Sequence, residues 1–206
     1  MTEILIDTMD KINDKSLTLG LLHKENFDQD TPLHLLAESD QQLDIDNNLV
    51  KLMQNLANKK ILTECLKKEN AEKETPLHVA ARKGFKDLIE VINEIGKLVD
   101  QDSSNSDMKD QILYLLKKID EDGNTALHLS TQKESLDLIK TETVSLILDI
   151  LGPDCQKDEI LKKNKFDKTP LSEAAKAGDL ESLKKLIGYL EKGSNNGGKW
   201  RTLKIL

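Results

Sequence analysis

The sequence predicts an all-α protein built as a tandem array, and three observations carry this expectation. A four-residue motif recurs as Thr31-Pro32-Leu33-His34, Thr75-Pro76-Leu77-His78, Thr125-Ala126-Leu127-His128 and Thr169-Pro170-Leu171-Ser172. Each copy opens a stretch whose apolar residues fall at helical spacing. Hydrophobic content of 37% with only 3% aromatics is modest for a compact globule but sufficient for narrow helical layers that bury their apolar faces on one another.

The motif is a helix start. Proline suits the first helical position, because that N–H lacks an intrahelical partner and the fixed φ already fits a helix. Pro32, Pro76 and Pro170 therefore mark first turns, with Ala126 in the same place. The threonine before each sits where its side-chain oxygen can accept from an orphan N–H of that turn. Leu33, Leu77, Leu127 and Leu171 follow two residues later, and each is expected in the core.

Four helix pairs are predicted, near residues 32–57, 76–96, 126–151 and 170–190. The second is the best formed, with a first helix over 76–82, a Lys83-Gly84 turn, and Leu88, Ile89, Val91, Ile92 and Ile95 at helical spacing on the second helix. The fourth repeats this around Gly178. In the first, the turn lengthens to residues 39–46 and the second helix covers about 48–57. In the third, the second helix runs over 136–151 and stops at Gly152-Pro153. Before each motif lies an amphipathic lead-in, placing Leu22, Leu66, Leu116 and Ile160 in equivalent positions, and each lead-in is expected to be a short helix. Residues 100–110, with Ser103, Ser104, Asn105 and Ser106, read as a mobile loop.

Thr75-Pro76-Leu77-His78 followed by Ala80-Ala81 resembles the signature of the ankyrin repeat, and the resemblance extends over roughly residues 17–190. It implies an α-solenoid of four helix-pair repeats with short hairpin turns. One domain would cover 1–190, with repeats near 26–57, 70–96, 120–151 and 164–190, an N-terminal capping helix within 2–23, and a flexible basic tail over 191–206. The family period is about 33 residues, whereas these motifs lie 44, 50 and 44 residues apart, so each unit carries extra length. The family places a glycine two residues before the threonine for a turn with positive φ. Only Gly123 fills that slot; Gln29, Lys73 and Asp167 stand in the others, which puts the turn shape in question in the first two units.

The resemblance also implies a concave groove for a partner protein. Its edge would be formed by the tip residues Phe27, Asp28, Asp30, Glu72, Glu74, Glu121, Asp122, Asn124, Lys165, Phe166 and Lys168. The first helices would add Glu38, Arg82, Lys83, Gln132, Lys133 and Lys176. This groove would shift from acidic in its first three tips to basic at the fourth. The same charges also fit a solvated face, given that 33% of the chain is charged. Phe27 and Phe166, two of three phenylalanines, sit at tips either as contact anchors or packed on the neighbouring unit; packing is the reading preferred. Charge reversal at Arg82 and Lys83 is expected to leave stability nearly unchanged.

Other classes are disfavoured. A net charge of −7 and a pI near 5.2 argue against nucleic acid, which needs a basic face. No run reaches membrane-spanning length, the best, 146–151, being broken by Asp149, and residues 1–16 lack the pattern of a secretory signal. Cys65 and Cys155 form no paired motif, so neither a disulfide framework nor a thiolate metal site is expected. His34, His78 and His128 would recur about 10 Å apart, too far to share one ion, and are expected to hold loop backbone; His23 stands alone on the surface. No nucleophile elbow, phosphate loop or zinc-protease motif occurs, so no enzyme activity and no cofactor are expected. The expectation is a monomeric, cytoplasmic protein-binding module. Two alternatives stay open: an effector of an intracellular bacterium or virus, delivered into a host cell to act on a host protein, as lysine-rich bias and divergent repeats suggest, or a regulatory fragment of a larger enzyme or channel.

Overall fold

The computed structural model describes residues 20, 22–38, 59–100, 106–132 and 139–193. Their regular structure is entirely helical: α1 (Pro32–Glu38), α2 (Lys59–Leu66), α3 (Pro76–Lys83), α4 (Lys86–Asp100), α5 (Ser106–Lys117), α6 (Ala126–Thr131), α7 (Ile139–Leu151), α8 (Pro153–Ile160), α9 (Pro170–Ala177) and α10 (Leu180–Gly193).

The recurring motif starts α1, α3, α6 and α9. Thr75 and Thr169 Oγ1 accept from the N–H of His78 (3.4 Å) and Ser172 (3.1 Å). The hydroxyls of Thr75 and Thr125 also lie 2.8 and 2.9 Å from the ring Nδ1 of His78 and His128. At the other ends of α3 and α9 the chain turns through Gly84 and Gly178, with φ of 75° and 73°, left-handed conformations that favour glycine.

The helices pack in rows. α1, α3, α6 and α9 contact one another in sequence, and so do α4, α7 and α10. The last three lead-in segments form helices as expected: α2 packs on α5, α5 also meets α4, α6 and α7, and α8 meets α7, α9 and α10. Leu22, Leu66, Leu116 and Ile160, the equivalent lead-in residues, are all buried, as are Leu33, Leu77 and Leu127. Leu171 is only partly buried, because no described unit follows α9 to cover it.

Boundaries differ from expectation in three places. α4 continues to Asp100 and α10 to Gly193. Residues 106–110 belong to α5 and not to a loop: burial of Ile112, Leu115 and Leu116 draws the polar residues before them into the same helix. The expected capping helix, apart from the turn near Leu22, the second helix of the first unit, the centre of the serine-rich stretch and most of the tail lie outside the described residues. Among those described, no helix is long and apolar enough to cross a membrane.

Candidate protein-binding groove

Four tips, one before each motif, are built alike. Asn26, Asn70, Asp120 and Asn164 each fold the chain over their own side chain, Oδ1 accepting two backbone N–H groups. These come from Asp28 and Asp30 (2.9 and 2.8 Å), Glu72 and Glu74 (3.2 and 2.9 Å), Asp122 and Asn124 (2.9 and 2.7 Å), and Phe166 and Lys168 (both 3.0 Å). Gly123 takes φ 78°, and Gln29, Lys73 and Asp167 take 63°, 60° and 62°. The turn is thus retained in the first two units despite their unsuitable residues; the carboxamides and the bonds between tips hold the strained conformation in place.

Adjacent tips are tied by side chains. Asn70 Nδ2 donates to Asp30 Oδ1 at 3.0 Å, and Asn164 Nδ2 to Asn124 Oδ1 at 2.7 Å. At the middle step Asp120 has no donor to offer Glu74. There Arg82 supplies the donors, Nε at 3.2 Å and Nη2 at 2.8 Å from the two Glu74 oxygens.

Tips and first helices enclose two depressions, of about 450 and 260 Å³, that share Glu72, Glu74 and Arg82 and so form one continuous groove. Of the expected residues, Asp28, Asp30, Glu38, Glu72, Glu74, Arg82, Glu121, Asp122, Asn124, Gln132, Phe166 and Lys168 line it. Phe27, Lys83, Lys165 and Lys176 line neither depression, and Lys133 lies outside the described residues. His34, Asn70, Val79, Asp120, Leu129, Asn164 and Glu173 belong to the lining and were not expected there. The shared register of Leu35, Val79, Leu129 and Glu173, two residues past each leucine of the motif, could have revealed three of these.

The charge differs from the expected gradient. Nine acidic side chains line the groove against Arg82 and Lys168, so it is acidic along both depressions. Lys168 is paired with Glu173 at 3.3 Å, and Lys165, whose Nζ turns to the Glu121 carbonyl, lines neither depression. The packing reading of the phenylalanines is overturned: Phe27 is wholly exposed and Phe166 is 60% exposed, with Lys168 Nζ 5.8 Å from its ring centre.

The histidines tie successive units. His34, His78 and His128 each accept the N–H of their own motif threonine at Nδ1 (3.1–3.2 Å). Nε2–H then donates forward, from His34 to the Glu74 carbonyl (3.0 Å), from His78 to that of Lys118 (3.1 Å), and from His128 to those of Lys162 and Lys168 (3.0 and 3.2 Å). Each ring is neutral with its proton on Nε2, since a backbone N–H faces one nitrogen and a carbonyl the other. Burial lowers the pKa of all three, that of His78 to about 4. Ser172 replaces the fourth histidine and accepts the Thr169 N–H at 2.9 Å without reaching onward. His23 is not isolated, as its Nε2 lies 3.5 Å from Cys65 Sγ; burial pushes that thiol up to about 11, which keeps it protonated and unreactive.

No protein-family model matches this chain. No curated protein matches it.

Proposed function

We propose that the chain is a divergent ankyrin-type α-solenoid of four helix-pair repeats, a binding module and not an enzyme, whose concave side takes a partner protein. The repeat reading is supported by the recurrence of one unit: lead-in helix, a tip folded over an Asn or Asp side chain, motif helix, and a histidine that reaches a carbonyl 40 residues onward in three successive units. One observation carries the binding reading. The groove is continuous across four units, and Glu72, Glu121 and Asp122 on its wall are exposed charges that leave the core untouched. Its acid excess favours a partner segment rich in Lys and Arg, whose approach the field of the chain would speed. A cytoplasmic setting accords with Cys65 and Cys155, both free thiols.

The test is capture of partners from a native lysate by the wild-type chain, followed by titration of the purified partner against the Glu72→Lys, Glu121→Lys, Asp122→Lys triple variant and against Glu90→Lys on α4. The expected result is at least about ten-fold weaker binding by the triple variant, equivalent to about 1.4 kcal/mol, with Glu90→Lys unchanged. Equal loss from both, or none from the triple, would place the binding surface elsewhere.

A further inference from the structure

The row of backbone bonds that joins the tips is open at both ends, and the two ends complement each other. Along the row, the second residue of each tip donates its N–H to the carbonyl of the third residue of the preceding tip. Ala71 donates to Asp28 at 2.9 Å, Glu121 to Glu72 at 3.1 Å and Lys165 to Asp122 at 3.0 Å. At the first tip the donor position is Phe27; at the fourth the acceptor position is Phe166. Among the described residues neither the Phe27 N–H nor the Phe166 carbonyl has a partner. An unpaired donor at one end and an unpaired acceptor at the other are what a further tip of the same kind would satisfy.

The side chains at the two ends agree with the backbone. The exposed rings fall on these two residues and no other tip position, although an aromatic ring left in water forgoes its burial. On α10, Leu180 is 67% exposed in the register of Lys86, which in the second unit reaches forward to Glu142 of α7 at 3.2 Å. Leu180 therefore faces the place a following unit would take. The ends are also opposite in charge: Asp28 leads the first tip, whereas Lys165 at the fourth is bonded to a carbonyl and keeps its net charge.

We infer that this chain associates head to tail with a second copy of itself, the Phe27 N–H of one copy donating to the Phe166 carbonyl of the next and continuing the row of tip bonds across the joint. The two surfaces are different, so the contact is heterologous and each added copy leaves an open end; growth is linear and does not close at a dimer. The monomer expected from the sequence is then the dilute state.

Sedimentation velocity of the full chain over a concentration series up to about 1 mM, the weak end of specific association, tests this. Phe27 is the first central residue of a turn closed by the Gln29 N–H on the Asn26 carbonyl at 3.1 Å, a position that suits proline. Phe27→Pro thus removes the donor and leaves the turn intact, while Phe27→Ala keeps the donor and removes the ring. Phe166→Asp places an acid opposite Asp28 and blocks the other end. The expected results are growing oligomers for wild type, weakened growth for Phe27→Ala, monomers for Phe27→Pro and for Phe166→Asp alone, and one-to-one dimers when those two are mixed, with circular dichroism unchanged throughout. A wild-type monomer at every concentration, wild-type association by Phe27→Pro, or larger species in the mixture would overturn the inference.

Discussion

Arg82 grips Glu74 with two hydrogen bonds, Nε to Oε1 at 3.2 Å and Nη2 to Oε2 at 2.8 Å, at the step between tips where no carboxamide bridges. The Glu74 side chain is 10% exposed, so its carboxylate depends on this cation for most of what water would have supplied. Charge reversal here was expected from the sequence to leave stability nearly unchanged. The pair makes it costly.

Removing Arg82 strands a nearly buried carboxylate. Arg82→Ala should destabilise the fold by about 2–4 kcal/mol, somewhat below the cost of breaking a fully buried pair. Lys83→Ala, whose ion pair with Glu38 is stretched to 4.0 Å, should change stability by less than about 0.5 kcal/mol. Urea midpoints of the two variants give the comparison, and equal midpoints would mean that the grip on Glu74 contributes little.

The tips give a prediction of opposite sign at neighbouring units. Lys73 holds φ 60°, so Lys73→Gly should stabilise the protein by about 0.5–1 kcal/mol through relief of left-handed strain. Gly123→Ala should destabilise it by at least about 1 kcal/mol, since an added Cβ would lie 3.0 Å from the Lys165 backbone nitrogen at φ +78°. Thermal melts of both variants check the pair of signs.

Acid should weaken the ties between units. His78 has its folded pKa depressed to about 4 from 6.5 by burial, so the unfolded chain binds the proton first. The contribution of the neutral ring is complete above pH 6.5 and is lost as pH falls from there towards 4, below which both states are protonated. His34 and His128 are lowered in the same direction and add to the loss. His78 alone corresponds to roughly 3 kcal/mol across that window. Urea unfolding at pH 7.0 and 4.5 measures it, with His78→Asn expected to flatten the dependence, and a wild-type midpoint that is flat over this range would contradict the neutral-ring assignment.

Leu77 is fully buried where α3 meets its neighbours. Leu77→Ala should cost about 2–5 kcal/mol by leaving a cavity. The partly covered Leu171 should cost clearly less for the same change, and the two denaturant midpoints decide it.

What was readable in the sequence follows from range. The helix starts were legible because Thr, Pro and Leu act on the residues beside them, and the lead-in helices because Leu66, Leu116 and Ile160 repeat at fixed distances before each motif. The first turn of α5 was not, since its own residues are polar and its conformation is set by Ile112 and Leu115 further on. Within the groove, the tip carboxylates were found from the place that the family resemblance gives them. Arg82 was placed in the groove, but its pairing with Glu74 was not foreseen, because that partner lies eight residues back across a tip and a helix start and no local pattern encodes the approach. Lys73 was judged unsuited to its turn on intrinsic preference, which the bonds from Asn70 overrule.

The forward reach of the histidines imposes an order on synthesis. A ribosome delivers the N-terminal units first. The His34 ring cannot place its Nε2 proton until Glu74 has emerged and His78 waits for Lys118, each 40 residues later, and His128 waits for Lys162, 34 residues later. At every moment the newest unit on a nascent chain thus holds a ring whose donor is still bonded to water, and the unit behind it is already locked. Ser172 ends this dependence, because it satisfies Thr169 locally and asks nothing of the chain that follows.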